Sequence, residues 1–124
     1  MSTIWHLAYA SDWEAAKERG RYEISTRGAA LADVGFVHAG YTHQVPRVAA
    51  VLFADESAPL VGLGISTEAL ASAGIEVREE PGDPTNPQSE RFPHVYGPIP
   101  VEAVVEVQET AMVDGLLTPW EPTP

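Results

Sequence analysis

Residues 58–66, "APLVGLGIS", constrain the fold of this chain more than any other segment. The run is apolar almost without interruption, and its length suits a central strand covered on both faces. A membrane helix needs about 18 such residues, and no stretch approaches that. The remaining segments must supply this strand with neighbours and covering layers.

"TIWHLAYA" (3–10) reads as the opening strand, with Trp5 and Leu7 on one face and Ile4, His6 and Ala8 on the other. "SDWEAAKERG" (11–20) reads as a short helix, with Ser11 and Glu14 at capping-box spacing and Gly20 as its stop. "RYEIST" is extended, "ALADVG" a helical turn, and "GFVHA" a short strand ending at His38. Val45, Val48, Ala49, Leu52 and Phe53 recur at helical spacing, and Pro46 falls in that helix's first turn, where its missing N–H does no harm. "TEALASAG" is a second helical turn, "IEVREE" a strand, "EPGDPTNPQSE" (80–90) an exposed loop, and "VEAVVEVQETAMV" a turn leading into a final strand. The predicted class is α+β, a curved and mostly antiparallel sheet with two main helices. Residues 1–114 form one domain, and 115–124 a proline-rich tail.

The net charge of −11 is unevenly placed. Residues 1–54 balance five acids with five bases, whereas 55–124 hold thirteen acids against Arg78 and Arg91 alone. With a single lysine, the chain has little with which to displace counterions from a nucleic-acid backbone, so nucleic acid is not an expected partner. The first residues lack a basic segment followed by an apolar run, and no membrane span is present, so the expectation is a soluble cytoplasmic protein. There is no cysteine, which excludes disulfides, thiolate metal ligands and a thiol nucleophile.

The chemistry-bearing stretch is "RFPHVYGPIP" (91–100), an arginine, a histidine and a tyrosine among three prolines and a glycine. Proline presets its own backbone and restrains the residue before it, so Phe92 and Gly97 are biased to extended conformations, and His94 and Tyr96 between them, two apart on an extended segment, share a face. The four histidines His6, His38, His43 and His94 are all expected at strand ends or helix starts, although a single histidine there is ordinarily a hydrogen-bonded structural residue. Glu79 and Glu80 adjoin at a strand end and face opposite sides, so only one can enter a given cleft. Glu80 with His6, His38, His94 or Tyr96 suits acid–base or electrostatic chemistry on a small molecule. Arg78 serves as an anion contact or as a partner for nearby acids. A zinc or iron site from His38 and His43 with His94 or Glu80 is an alternative without a specific spacing to support it. No GxSxG, GxGxxG or P-loop signature occurs.

The strings "IWHLA", "GFVHAGYTHQV", "REEP" and "RFPHVYGPI" together resemble an uncharacterised bacterial domain family over residues 3–107. Its members show Gly-Phe-Ile-His-Cys-Ser/Thr followed by a glutamine, then a glutamate before a variable loop, then Phe-Pro-His-Ile-Tyr-Gly-Pro. That family is similar in fold to the ADP-ribosyltransferases, with a split, curved sheet around an NAD cleft, and to the tRNA 2′-phosphotransferases. The resemblance implies His6 as a ribose-binding histidine, His38 as the second cleft histidine, and Glu80 as the carboxylate that holds the ribose. Tyr41, Thr42, Gln44, Arg78, His94 and Tyr96 are the candidate ligand-binding residues beside them, with NAD, another nucleotide or a glycoside as the expected ligand. Ala39-Gly40 replaces the usual Cys-Ser/Thr and an arginine cluster is missing, which disfavours phosphate transfer. A non-catalytic binding module is the rival reading.

Overall fold

In the computed structural model, which describes residues 2–27 and 29–122, the chain begins with β1 (Thr3–Tyr9), α1 (Ala10–Arg19), β2 (Arg21–Tyr22), β3 (Ile24–Thr26), β4 (Ala29–Ala30) and α2 (Leu31–Val34). It continues with β5 (Val37–His38), α3 (Val45–Leu52), β6 (Leu60–Ser66), α4 (Thr67–Ser72), β7 (Glu76–Pro81) and β8 (Arg91–Tyr96), then β9 (Ile99–Pro100), a 3₁₀ turn (Val101–Ala103), β10 (Val104–Val113) and β11 (Leu116–Thr118). Every named strand pairing is antiparallel, giving an α+β fold built on a curled sheet. The largest sheet runs β1-β6-β10-β11, and β5-β8-β7 forms a three-stranded sheet beside it. Among the described residues no helix is long and apolar enough to cross a membrane.

The apolar run is the central strand β6, buried along its whole length. Val61, Leu63 and Ile65 enter one core with Ile4, Ala8, Trp13, Tyr22, Val37 and Val95. The opposite face is Gly62 and Gly64, and it makes room for indoles. A Cβ on Gly62 would lie 2.5 Å from Trp120 Cζ3, and one on Gly64 2.8 Å from Trp5 Cη2. Trp5 and Trp120 meet edge to face at 5.2 Å, and Val45, Ala49, Phe53, Leu60 and Leu117 complete this second core. Three layers result: α3, the main sheet, and beyond it α1 and α4 with the smaller sheet.

Two local expectations change. Ser11 and Glu14 do not form a capping box: α1 starts at Ala10, directly from β1, and the side chain of its N-cap Tyr9 makes no capping bond to the helix. The Ala10 N–H donates instead to the Pro59 carbonyl at 3.0 Å, so the strand entering the sheet next door satisfies the helix start. Gly20 does stop the helix, at φ 87° with its N–H on the Ala16 carbonyl. Residues from Gly115 onward, read as a tail, begin with β11. Asp114 (φ 53°) and Gly115 (φ 79°) make the two-residue turn with both φ angles positive that suits a hairpin, and Trp120 then docks on Trp5. Thr123 and Pro124 of that segment lie outside the described residues.

The glycine–indole packing yields a ranked expectation. Gly64→Ala should cost about 1–3 kcal/mol by overpacking, because Trp5 is fixed in mid-strand and fully enclosed. Gly62→Ala should cost less, since Trp120 is only partly buried beyond β11 and can move aside. Urea unfolding of both variants checks the order, and equal small losses would refute it.

Candidate functional site

The site is built on β8. His38, His94 and Arg78 lie directly opposite one another across β5, β8 and β7, so they share one face of the small sheet. Alternation sends Pro93 and Val95 to the core and His94 and Tyr96 to the opposite face, where His94 is itself covered and only 4% exposed. Pro93 leaves the ladder no donor, but its carbonyl accepts the Ala39 N–H at 3.1 Å, tying β8 to the end of β5.

Glu80 organises this face. Its Oε1 accepts from His94 Nδ1 at 2.9 Å and from the Tyr96 hydroxyl at 2.5 Å, while Oε2 has no protein partner among the described residues. The Tyr96 bond, and then the His94 bond, hold the Glu80 carboxyl below its ordinary range, so it is ionised at neutral pH and accepts only. The same bond raises the Tyr96 phenol. Nδ1 carries the proton it donates, so in the neutral tautomer the lone pair lies at Nε2, which no described residue contacts by hydrogen bond. Phe36 stacks on the His94 ring at 4.1 Å and 16°, the His38 ring meets His94 edge-on at 5.2 Å, and the Arg78 guanidinium lies 4.2 Å from the Tyr96 ring centre. Burial, and then His94, lower the His38 pKa.

His6 sits differently from its expectation at a strand end. It is in mid-β1, 2 % exposed, and both ring nitrogens are taken by protein groups. Nδ1 donates to the His38 carbonyl, because a carbonyl only accepts, and Nε2 therefore accepts the Tyr22 O–H at 2.8 Å. Burial lowers its pKa from 6.5 to about 4. His6 thus holds the backbone of His38 in place.

The other predicted residues divide. Gln44 is buried and fully committed: Oε1 accepts the Tyr41 N–H at 2.9 Å, and Nε2 donates to Glu90 Oε2 at 3.0 Å and to the Arg91 carbonyl at 2.9 Å. Tyr41 donates to Glu79 at 2.8 Å, on the face of β7 away from Glu80. Thr42 is exposed, and its carbonyl takes the Trp120 N–H. Arg78 is paired with Glu76 at 2.9 Å. His43 is exposed before α3 and lines neither cavity described below, and no group of three or more His, Asp or Glu suited to a metal occurs among the described residues.

Two cavities of about 500 Å³ each meet at His38, Gly82 and His94. One adds Phe36, Glu80, Pro81, Pro84, Pro87 and Tyr96. The other is a largely apolar groove between α3 and the β7–β8 hairpin, walled by Trp5, Val48, Leu52 and Phe92. Phe36 and this groove escaped the sequence reading; the aromatic preceding "VH" was the only local signal. Arg47 on α3 ties to Glu90 by two bonds, 3.0 and 2.7 Å.

Residues 7–107, which include Phe36, His38, Glu80, His94 and Tyr96, match the family model described as "Protein of unknown function (DUF952)". The chain belongs to the DUF952 family. His6 falls one residue before the matched region. The DUF952 fold here is similar to the crystal structure of protein CC0527 from Caulobacter crescentus, with 29% identity over 94% of each chain and a TM-score of 0.73. It is also similar to the solution NMR structure of CC0527, with 28% identity over 94% of this chain and 91% of that one and a TM-score of 0.70. No curated protein matches it.

The buried His6 makes stability depend on pH. An unfolded chain takes up a proton at His6 below 6.5, whereas the folded one resists until about 4. Stability is therefore full above 6.5 and falls by about 3 kcal/mol on the way down to 4. His6→Gln, which can keep one donor and one acceptor, should shrink the difference between urea midpoints at about pH 7 and about pH 5. An undiminished difference would assign the loss to other groups.

Proposed function

We propose that this DUF952 protein binds a small hydroxylated ligand, a glycoside or nucleoside, at the Glu80–His94–Tyr96 cluster, with His38 beside it. The observation that carries the reading is a pair of unused lone pairs on residues that line one cavity, Glu80 Oε2 and His94 Nε2, each on a group whose other polar atom is anchored. A carboxylate and an imidazole so held suit sugar hydroxyls, and they also suit glycosyl transfer. Oε2 offsets positive charge at the anomeric carbon as the leaving group departs, while Nε2 takes the proton of an attacking hydroxyl. The resemblance of the strand-1 histidine and the "VH" string to those of the tRNA 2′-phosphotransferases supports a ribose-type sugar.

The charges favour a neutral head over NAD itself. Arg47 is paired with Glu90, Arg78 with Glu76, and Arg27 with Glu56, so a pyrophosphate must break an ion pair to engage any of these three guanidiniums. Binding without turnover is the second reading. Ala39 and Gly40 supply no hydroxyl, and their N–H groups are spent on the carbonyls of Pro93 and Trp5.

The test is a titration of histidine-labelled protein with methyl riboside, nicotinamide riboside and NAD at millimolar concentration, following ring nitrogen resonances. The two ribosides should move His94 and His38 and spare His6, and Glu80→Gln should weaken them about tenfold. Absence of any shift would refute the proposal. Shifts without release of nicotinamide on long incubation would select the binding module over the enzyme.

A further inference from the structure

Resting on that sugar site, we infer that the ligand is amphiphilic and carries an uncharged apolar group, of the size of an aromatic ring or larger, in the groove between α3 and the β7–β8 hairpin. His38, Gly82 and His94 border both cavities, so a sugar seated at His94 projects its aglycone directly into the groove. The groove is walled by Trp5, Val48, Val51, Leu52, Phe53 and Phe92. A cavity of about 150 Å³ already admits a benzene ring, and this one holds about 500 Å³.

Three further observations fix the character of the occupant. Val51 is 79% exposed and Leu52 37% exposed, so apolar side chains of α3 stand in water at the rim and gain from being covered. Acids dominate the far rim: Asp83 and Glu90 line it, and Arg47 is already neutralised by Glu90, so an anionic tail is disfavoured. The walls are also braced in advance. Arg47 and Gln44 both bind Glu90, and Gln44 binds the Arg91 carbonyl, fastening α3 to the start of β8. A braced groove loses little freedom on binding.

The experiment compares methyl riboside with phenyl riboside, which share a sugar and differ in the aglycone. Phenyl riboside should bind about tenfold tighter, with nuclear Overhauser contacts from its ring to the Val48 and Val51 methyls. Val51→Asp, at an exposed position, should remove the gain while leaving methyl riboside affinity unchanged. Equal affinities with intact His94 shifts would overturn the apolar subsite and leave the sugar site standing. A gain that survives Val51→Asp without valine contacts would overturn it as well. Silent histidines with both ribosides would overturn the sugar site and this inference with it.

Discussion

A strand buried on both faces needs two cores, and β6 meets that demand unequally. One face packs aliphatic side chains conventionally. The other carries no side chain at Gly62 and Gly64, and the space is filled by Trp5 from β1 and Trp120 from beyond β11. This arrangement positions α3, which closes the tryptophan core through Val45, Ala49 and Phe53. One wall of the apolar groove is therefore a by-product of how the central strand is covered. Hydrophobic burial drives the assembly, and close packing decides that glycine, not merely a small residue, stands under each indole.

The polar face depends on a relay of fixed groups. The His38 carbonyl fixes the His6 proton on Nδ1, the Tyr22 hydroxyl donates to Nε2, and the ring so held pins the His38 backbone. β5 carries His38 against His94, whose ring is held flat by Phe36 and turned by Glu80. Each member has its orientation set by a neighbour from another element, which costs side-chain entropy at folding and removes that cost at binding. His6 and Gln44, both conspicuous in the family strings, thus shape the site through the backbone and side-chain groups they hold.

Much of the secondary structure was legible because its signals are local. The alternation in "IEVREE" and "RFPHVY" sets Glu80, His94 and Tyr96 on the surfaces they occupy, and Glu79 on the opposite side. The helix over Val45–Leu52 follows from its spacing and Pro46. The capping box failed because the Pro59 carbonyl, far along the chain, reached the helix start first. β11 was overlooked although Asp114-Gly115 is a hairpin signal, since the prolines around Trp120 read as tail.

By itself the sequence determined the order of elements, the two-faced central strand and the shared face of His94 and Tyr96, since these depend only on backbone periodicity. Tertiary structure alone decided that both ring nitrogens of His6 are taken by protein groups, that Tyr41 turns to Glu79, and that Gln44 becomes a clasp. It also decided that a groove opens beside His94. Those outcomes join residues from distant elements, and such contacts are set by strand register and layer packing, which no local pattern encodes.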